Sequence, residues 1–404
     1  MSSHHLYVHV PFCRLVCAYC DFVTVGGRVR DIPRYVDALQ AELETRPAPG
    51  ELASIYLGGG TPSLLPAPEV GRLVGAALDR WRRHPGPLEV TLEANPSSRE
   101  RPDWAALRTA GVTRISLGAQ SLDDQDLSTL ARGHTAREVR DAYRVIRRAG
   151  IENVSLDLIY AIPGQTLDRW RRVLRQAVAM QPNHLSLYAL ALALAPDEWA
   201  ARPRAGALAW RRRLADRQDD GLAADQYRLA EELLGAAGYL HYELSSWARP
   251  GCQSTHNGAY WARRPYTGIG AGAHSFDGRG RSWNARDLDA YLAAVEFGRS
   301  PVEGSERLDG ATRAFEAIAL GLRRVEGLSR SEYAAEFGPD PVAAHPVAVM
   351  HSLQRLHLSA SSVMVPARSP RRPAWMAHSR RASTTLTPGS VIAWRIVSVV
   401  PGRS

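Results

Sequence analysis

The chain contains no lysine: all 50 of its basic residues are arginine, which points to a G+C-rich coding bias rather than selection for phosphate contacts. Acidic residues are absent beyond Asp340, where residues 341–404 carry eight arginines. The remaining 42 arginines face 41 acidic residues, so the formal charge of +9 is mostly the charge of the tail. Nucleic-acid binding calls for a basic stripe on a folded element, and no nucleic-acid partner is expected here. No apolar run reaches the roughly 18 residues of a membrane-spanning helix. The opening Met-Ser-Ser-His-His-Leu lacks the basic and apolar regions of a secretory signal. A cytosolic location is therefore expected, with no membrane span and with peripheral membrane contact left open.

Cysteine is scarce, and three of the four cysteines (Cys13, Cys17 and Cys20) crowd into eight residues, apart from Cys252. That spacing suits a metal site better than disulfides. With 404 residues, 45% of them apolar and 23% charged, the chain can build one large core plus an appendage.

Short apolar runs at Leu6–Val10, Ser54–Leu57, Leu88–Glu93, Arg114–Leu117, Val154–Ile159 and His184–Leu190 read as buried parallel strands. Between them lie amphipathic helices. One carries Ile32, Tyr35, Val36, Leu39 and Leu43 on one face; another carries Val139, Ala142, Tyr143 and Ile146. The second is announced by a capping box, Thr135 to Glu138, and stopped near Gly150. Six such units predict an α/β fold with an open, partial β/α barrel, whose chemistry sits at the strand ends. A helix over 222–237 leads to Tyr239–Trp247, a candidate seventh strand. From Ser305 to Gly338 the pattern turns helical, with Phe315, Ile318, Leu322 and Leu328 on one face. The expected division is a partial barrel over 1–240, a barrel extension over 241–304, and the start of a small helical or winged-helix-like domain over 305–340. Residues 341–404 read as an atypical basic tail, disordered or poorly packed, with Val391–Val400 its one candidate strand. Residues 191–216, Ala-rich and then Arg-rich, are also out of character. A translated frame change or a divergent segment would each give such composition.

The strongest signal is Cys13-Arg-Leu-Val-Cys17-Ala-Tyr-Cys20, directly after the first strand. Thiolates at this spacing can converge on one metal centre. A zinc site would need a fourth ligand, for which His9 is the candidate, and the spacing is not the paired Cys-x₂-Cys of zinc knuckles. Three thiolates on a [4Fe-4S] cluster instead leave one iron open for a small molecule.

The stretch Tyr7-Val-His-Val-Pro-Phe-Cys-x₃-Cys-Ala-Tyr-Cys20 resembles the cluster loop of radical S-adenosylmethionine (SAM) proteins. More narrowly, it is similar to the anaerobic coproporphyrinogen III oxidase family and its HemW-like haem-chaperone branch. The resemblance covers most of 6–190 and 221–338. It implies that Cys13, Cys17 and Cys20 bind a [4Fe-4S] cluster whose open iron chelates SAM, and whose electron cleaves the sulfonium. It further implies SAM contacts from Tyr7, Tyr19, Gly59, Gly60 and Thr61 (in Gly58-Gly-Gly-Thr-Pro62), Glu93, Gln120, Arg132 and Asp157.

Within this family the resemblance leaves two functions. The oxidase decarboxylates two propionates of coproporphyrinogen III and carries a further cysteine where this chain has Phe22. It also has an N-terminal extension, whereas only six residues precede Tyr7 here. Both departures favour the chaperone, as does His256-Asn-Gly-Ala-Tyr-Trp261, an HNxxYW motif of the HemW group. A neutral imidazole is a standard haem ligand, so His256 is the expected axial ligand and His274 a weaker candidate. Tyr260 and Trp261 would offer flat apolar surface to the macrocycle. The chaperone reading implies haem, a haem-acceptor protein, and an electron donor such as flavodoxin or ferredoxin as partners.

Overall fold

The computed structural model describes residues 3–192 and 206–338. The basic tail 341–404, the candidate strand Val391–Val400 and residues 193–205 lie outside the described residues. The six expected strands form, extended by one to three residues at several ends. They are β1 (Ser3–Val10), β2 (Glu51–Gly59), β3 (Glu89–Ala94), β4 (Arg114–Gln120), β5 (Asn153–Tyr160) and β6 (His184–Ala189), parallel neighbours in chain order. Helices α1 (Ile32–Thr45), α2 (Ala67–Arg80), α3 (Trp104–Thr109), α4 (Asp124–Thr129), α5 (Ala136–Arg148) and α6 (Leu167–Ala179) fill the crossovers. The Thr135–Glu138 capping box starts α5, and Gly150 takes a φ of +81° just past its end. Helices α7 (Ala207–Ala215) and α8 (Asp220–Ala236) follow.

The seventh strand departs from expectation. Tyr239–Trp247 folds as a hairpin, β7 (Leu240–Glu243) and β8 (Ser246–Ala248), with β8 antiparallel to β6. The strand that extends the parallel set comes from farther on. After α9 (Thr255–Trp261), β9 (Tyr266–Ile269) pairs parallel with the free side of β1. Strands β10 (His274–Phe276) and β11 (Gly280–Asn284), helix α10 (Leu288–Glu296) and strand β12 (Val302–Arg307) complete this edge. The sheet order is β7-β8-β6-β5-β4-β3-β2-β1-β9-β10-β11-β12, an open mixed sheet with no closed barrel. Ser305 thus lies in an edge strand, not a helix. Helices α11 (Gly310–Gly321) and α12 (Arg330–Phe337) form a small apolar cluster of Ala314, Ala317, Ile318, Leu322 and Tyr333. Phe315 is 39% exposed and does not join the buried face expected for it.

The parallel strands are buried on both faces, yet the two faces differ. One is apolar (Leu6, Val8, Ile55, Leu57, Val90, Leu92, Ile115, Leu117, Leu156, Leu158) and packs under the helices. The other carries His5, Tyr7 and His9 of β1, Ser54 and Tyr56 of β2, Thr91 and Glu93 of β3, Ser116 of β4, and Ser155 and Asp157 of β5. Successive side chains alternate across a strand, so one register places all of these polar groups on one inner face.

The β9–β10 edge is fastened to α1 by a buried carboxylate. Glu42, 1% exposed, accepts from Gly270 N (2.8 Å), Tyr291 Oη (2.7 Å), Asn284 Nδ2 (2.7 Å) and Arg46 Nη2 (2.6 Å). Removing one partner of such a network strands the others without an acceptor. Glu42→Ala is expected to lower unfolding stability by about 3–5 kcal/mol in urea titration, the usual cost of breaking a buried ion pair.

Candidate functional site

The cysteine loop leaves β1 and is held at its base. Phe12–Cys13 pairs with Val25–Gly26, and Val25 N donates to Pro11 O at 2.8 Å. A turn inside the loop is closed by Cys20 N on Cys17 O at 3.1 Å. The glycine run after β2 lies against it: Gly60 N donates to Val10 O and Thr61 N to Phe12 O, both at 2.8 Å. A Cβ on Gly60 would stand 2.7 Å from the Pro11 and Phe12 carbonyl oxygens, so only glycine fits. Thr61 Oγ1 reaches Cys13 Sγ at 3.6 Å, and Arg132 Nη1 donates to Cys17 Sγ at 2.8 Å. Burial pushes the Cys13 thiol up to about 11 and the Cys20 thiol up to about 12, and each feels the charge of Cys17.

These three thiols stand in mutual electrostatic reach. Among the described residues, no three His, Cys, Asp or Glu side chains converge on one ion position. His9 cannot complete a zinc site. Its Nε2 donates to Val23 O at 2.7 Å, and its Nδ1 accepts from Tyr7 Oη at 3.0 Å, which uses both ring nitrogens. Burial also lowers its pKa to about 4, so the ring is neutral. Its task is to tie the far end of the loop to β1. Three thiols without a fourth protein ligand fit a cluster, whose separate irons each take one thiolate and displace its proton.

The polar strand ends gather beside the loop. Glu93 accepts from Tyr56 Oη (2.8 Å) and Gly59 N (3.0 Å), and burial raises its pKa to about 7. It also feels the charge of Asp157, which accepts from Ser116 Oγ (2.8 Å) and Ser155 Oγ (3.0 Å). Gln120 ends β4 with a φ of +63°. A Cβ on Gly118 would lie between Gln120 Nε2 (3.0 Å) and Arg132 Nη2 (3.9 Å). Arg132 also reaches Tyr19 Oη at 3.2 Å and Asn95 Oδ1 at 3.1 Å. The fold therefore brings Tyr7, Tyr19, Gly59, Gly60, Thr61, Glu93, Gln120, Arg132 and Asp157 to the loop end of the sheet. Sequence reasoning missed Tyr56, Asn95 and Ser116, the partners of these groups. Their signal was the period-two recurrence of polar residues along each strand.

His256 lies on the same inner face, beside Tyr7 and Tyr56, and is fully enclosed. Its Nδ1 bonds Ser54 Oγ at 2.8 Å and its Nε2 bonds Tyr260 Oη at 2.9 Å, while Tyr56 stacks on it at 5.0 Å. Glu89 fixes the start of α9 by accepting from Thr255 N (2.8 Å) and His256 N (3.0 Å). Both ring nitrogens of His256, the expected axial ligand, are taken by hydrogen bonds in this arrangement, so iron would reach one only by displacing its partner. Trp261 is buried under the Arg323 guanidinium, 4.2 Å from the ring centroid, and so presents no free apolar face. His274 differs from His256. Its Nδ1 is buried without a hydrogen-bond partner, and its ring stacks on Trp283 at 5.9 Å.

The pKa of Glu93 yields a test. A carboxyl whose pKa is raised in the folded state stabilises the fold below its unfolded pKa and loses that contribution as pH rises through about 7. Wild-type stability should fall from about pH 4.5 to about 7, by at most about 1.4 kcal/mol per pH unit for one proton. Urea midpoints for Glu93→Gln should lack that slope.

The sequence profile of the radical SAM superfamily matches residues 7–177. Over 331 residues the chain is 37% identical to the heme chaperone HemW of Mycobacterium tuberculosis, covering 80% of this chain and 82% of that protein. It is 33% identical over 348 residues to the heme chaperone HemW of Escherichia coli, covering 82% and 86%. Radical S-adenosyl methionine domain-containing protein 1, a mitochondrial protein of Bos taurus, is 34% identical, covering 81% and 75%. In structure the chain resembles coproporphyrinogen III oxidase (HemN) of Escherichia coli, with a TM-score of 0.71 at 21% identity over 85% of this chain and 81% of that one, a likeness of fold. The family implies a [4Fe-4S] cluster and SAM, and no helix among the described residues is long and apolar enough to cross a membrane. A chain this similar over most of its length, with three thiols on one loop against a glycine run, belongs to the HemW family of radical SAM proteins.

Proposed function

We propose that this chain is a haem chaperone on a radical SAM scaffold, which binds haem and passes it to an acceptor protein. Cys13, Cys17 and Cys20 hold the [4Fe-4S] cluster. SAM lies between that loop and Gly59, Gly60, Thr61, Glu93, Gln120, Arg132 and Asp157, with Tyr7 and Tyr19 alongside. When bound, the cluster supplies single electrons at low potential, delivered by a flavodoxin- or ferredoxin-like donor. One juxtaposition carries the reading: a loop with three thiols, its base hydrogen-bonded to Gly60 and Thr61, in a chain whose sequence likeness is to haem chaperones. The glycine run lets backbone approach the methionyl part of SAM. Glu93 holds its ammonium once ionised, and burial of the site excludes water from the sulfonium.

The haem ligand in this reading is His256, released from its bond to Tyr260. Iron reaches Nε2 only when Tyr260 Oη lets go, which makes the hydroxyl a competitor for the same lone pair. The oxidase reading is disfavoured by Phe22, which is 56% exposed at the edge of the loop and brings no fourth thiol.

One set of measurements separates these readings. Anaerobically reconstituted protein should contain iron and show the brown cluster absorbance, which Cys17→Ala abolishes. Haem titration should give a shifted Soret band, weakened at least about ten-fold in His256→Ala, a loss of about 1.4 kcal/mol, and not weakened in Tyr260→Phe. Loss of the band in His274→Ala with full retention in His256→Ala would move the ligand to His274. With SAM, reductant and coproporphyrinogen III, no protoporphyrinogen IX should form; robust formation would make the protein the oxidase instead.

A further inference from the structure

Arg132 is a half-buried cation whose guanidinium hydrogen-bonds to no carboxylate. It follows α4 in a tight turn, where Ala131 takes a φ of +53° and Arg132 N donates to Leu127 O at 2.9 Å. Nη1 donates to Cys17 Sγ at 2.8 Å and to Tyr19 Oη at 3.2 Å. Nη2 donates to Asn95 Oδ1 at 3.1 Å and to the Gly118 carbonyl at 3.4 Å, and Nε is buried with no partner. Arg211, Arg281 and Arg323 pair with Asp21, Glu316 and Glu243, whereas Arg114, 1% exposed, also has guanidinium nitrogens, Nε and Nη1, buried without a hydrogen-bond partner. Glu100 feels the charge of Arg132, yet its carboxylate takes Asn95 Nδ2 at 3.0 Å rather than the guanidinium. An enclosed guanidinium is costly unless an anion meets it. The anion-capable atom it does touch belongs to the cysteine loop.

We propose that the counter-ion of Arg132 is the iron–sulfur cluster, so that Arg132 is a positioning residue that holds the Cys17 thiolate and raises the cluster's reduction potential. This rests on the cluster reading above. Three thiolates on a [4Fe-4S]²⁺ core carry one net negative charge, and a one-electron donor takes this to two. A fixed cation with an N–H on a ligating sulfur stabilises the more negative state, and hydrogen bonds to the sulfurs are an established lever on such potentials. Asn95 and Gly118, at the ends of β3 and β4, aim the guanidinium, so the sheet itself sets its distance from the loop.

The test is a redox titration of the reconstituted full chain with dithionite and mediators, read by visible absorbance and the reduced-cluster EPR signal, without SAM. In Arg132→Gln the reduction equilibrium should shift at least ten-fold toward the oxidised cluster, which is 59 mV for one electron. Arg132→Lys, which keeps the charge, should stay closer to wild type, and Asn95→Ala should shift in the direction of Arg132→Gln but less. An unchanged potential in Arg132→Gln at wild-type iron content overturns the assignment. If Arg132→Gln folds but takes up no iron, Arg132→Lys decides: iron retained at near wild-type potential supports the charge pairing, and iron lost despite the cation overturns it. A wild-type chain that takes up no iron defeats the cluster reading itself, whereas full iron with an unmoved potential defeats only the role of Arg132.

Discussion

Two backbone hydrogen bonds, from Gly60 N to Val10 O and from Thr61 N to Phe12 O, seat the cysteine loop on the end of the sheet. A loop of this length could otherwise take many positions, and ordering it costs about 1–2 kcal/mol per residue in backbone entropy. The pairing of Phe12–Cys13 with Val25–Gly26 closes its base, and the His9 imidazole holds Val23 from below. Thr61 is thereby set beside Cys13, and the Gly59 amide turns to Glu93. The loop and the carboxylate end of β3 share one short stretch of chain, so moving either would move the other. That stretch can do so only because residue 60 has no side chain.

The inner face of the sheet sets the second constraint. Its histidines are neutral because burial penalises their charged forms: the pKa of His5 and of His9 falls to about 4, and that of His256 lies well below the ordinary value. Neutral rings in a closed space must each find a donor and an acceptor, and the strand register supplies them. His5 Nδ1 bonds Ser54 Oγ at 2.8 Å, and the same hydroxyl bonds His256 Nδ1 at 2.8 Å. The carboxylates obey the same demand, Glu93 through Tyr56 and Gly59, Asp157 through Ser116 and Ser155. A polar face of this kind tolerates little substitution, since one lost partner leaves a buried group unsatisfied.

Local signals were legible in the sequence and non-local ones were not. The six parallel strands, the capping box at Thr135 and the cysteine and glycine motifs are written in contiguous residues, where period, spacing and turn chemistry act. The hairpin at 240–248 looks like one strand in sequence because Leu244-Ser-Ser carries no glycine, proline or asparagine to mark the turn. Strand β12, whose last residues from Ser305 fall in the stretch expected to be helical, alternates exposed and half-buried residues; it is an edge, where one side needs no apolar cover. The parallel partner of β1, strand β9, lies more than 250 residues away in sequence, and no periodicity reports such a pairing. The same holds for His256. Its motif is local, but Glu89 and Ser54, which bury and orient it, are 167 and 202 residues distant.

The hydrogen-bonded chain through His256 has a direction with consequences for ligand exchange. If Tyr260 Oη donates to Nε2, then Nδ1 carries the ring proton and donates to Ser54 Oγ, whose own hydroxyl proton goes to His5 Nδ1. Each donor from Tyr260 through Ser54 then has an acceptor. An iron-ligating imidazole needs the same tautomer, with the far nitrogen's N–H held by an acceptor that fixes the ring. Replacing the Tyr260 hydroxyl with iron at Nε2 would leave the Nδ1–H bond to Ser54 in place, so the inner half of the chain would not have to rearrange. Loading would cost the movement of one phenol out of a packed position against Tyr266, with ring centroids 4.7 Å apart, and release would return it. A ligand with such a built-in competitor binds more weakly than a free imidazole. On the proposed function that weakness would be an advantage, since the haem has to be passed on.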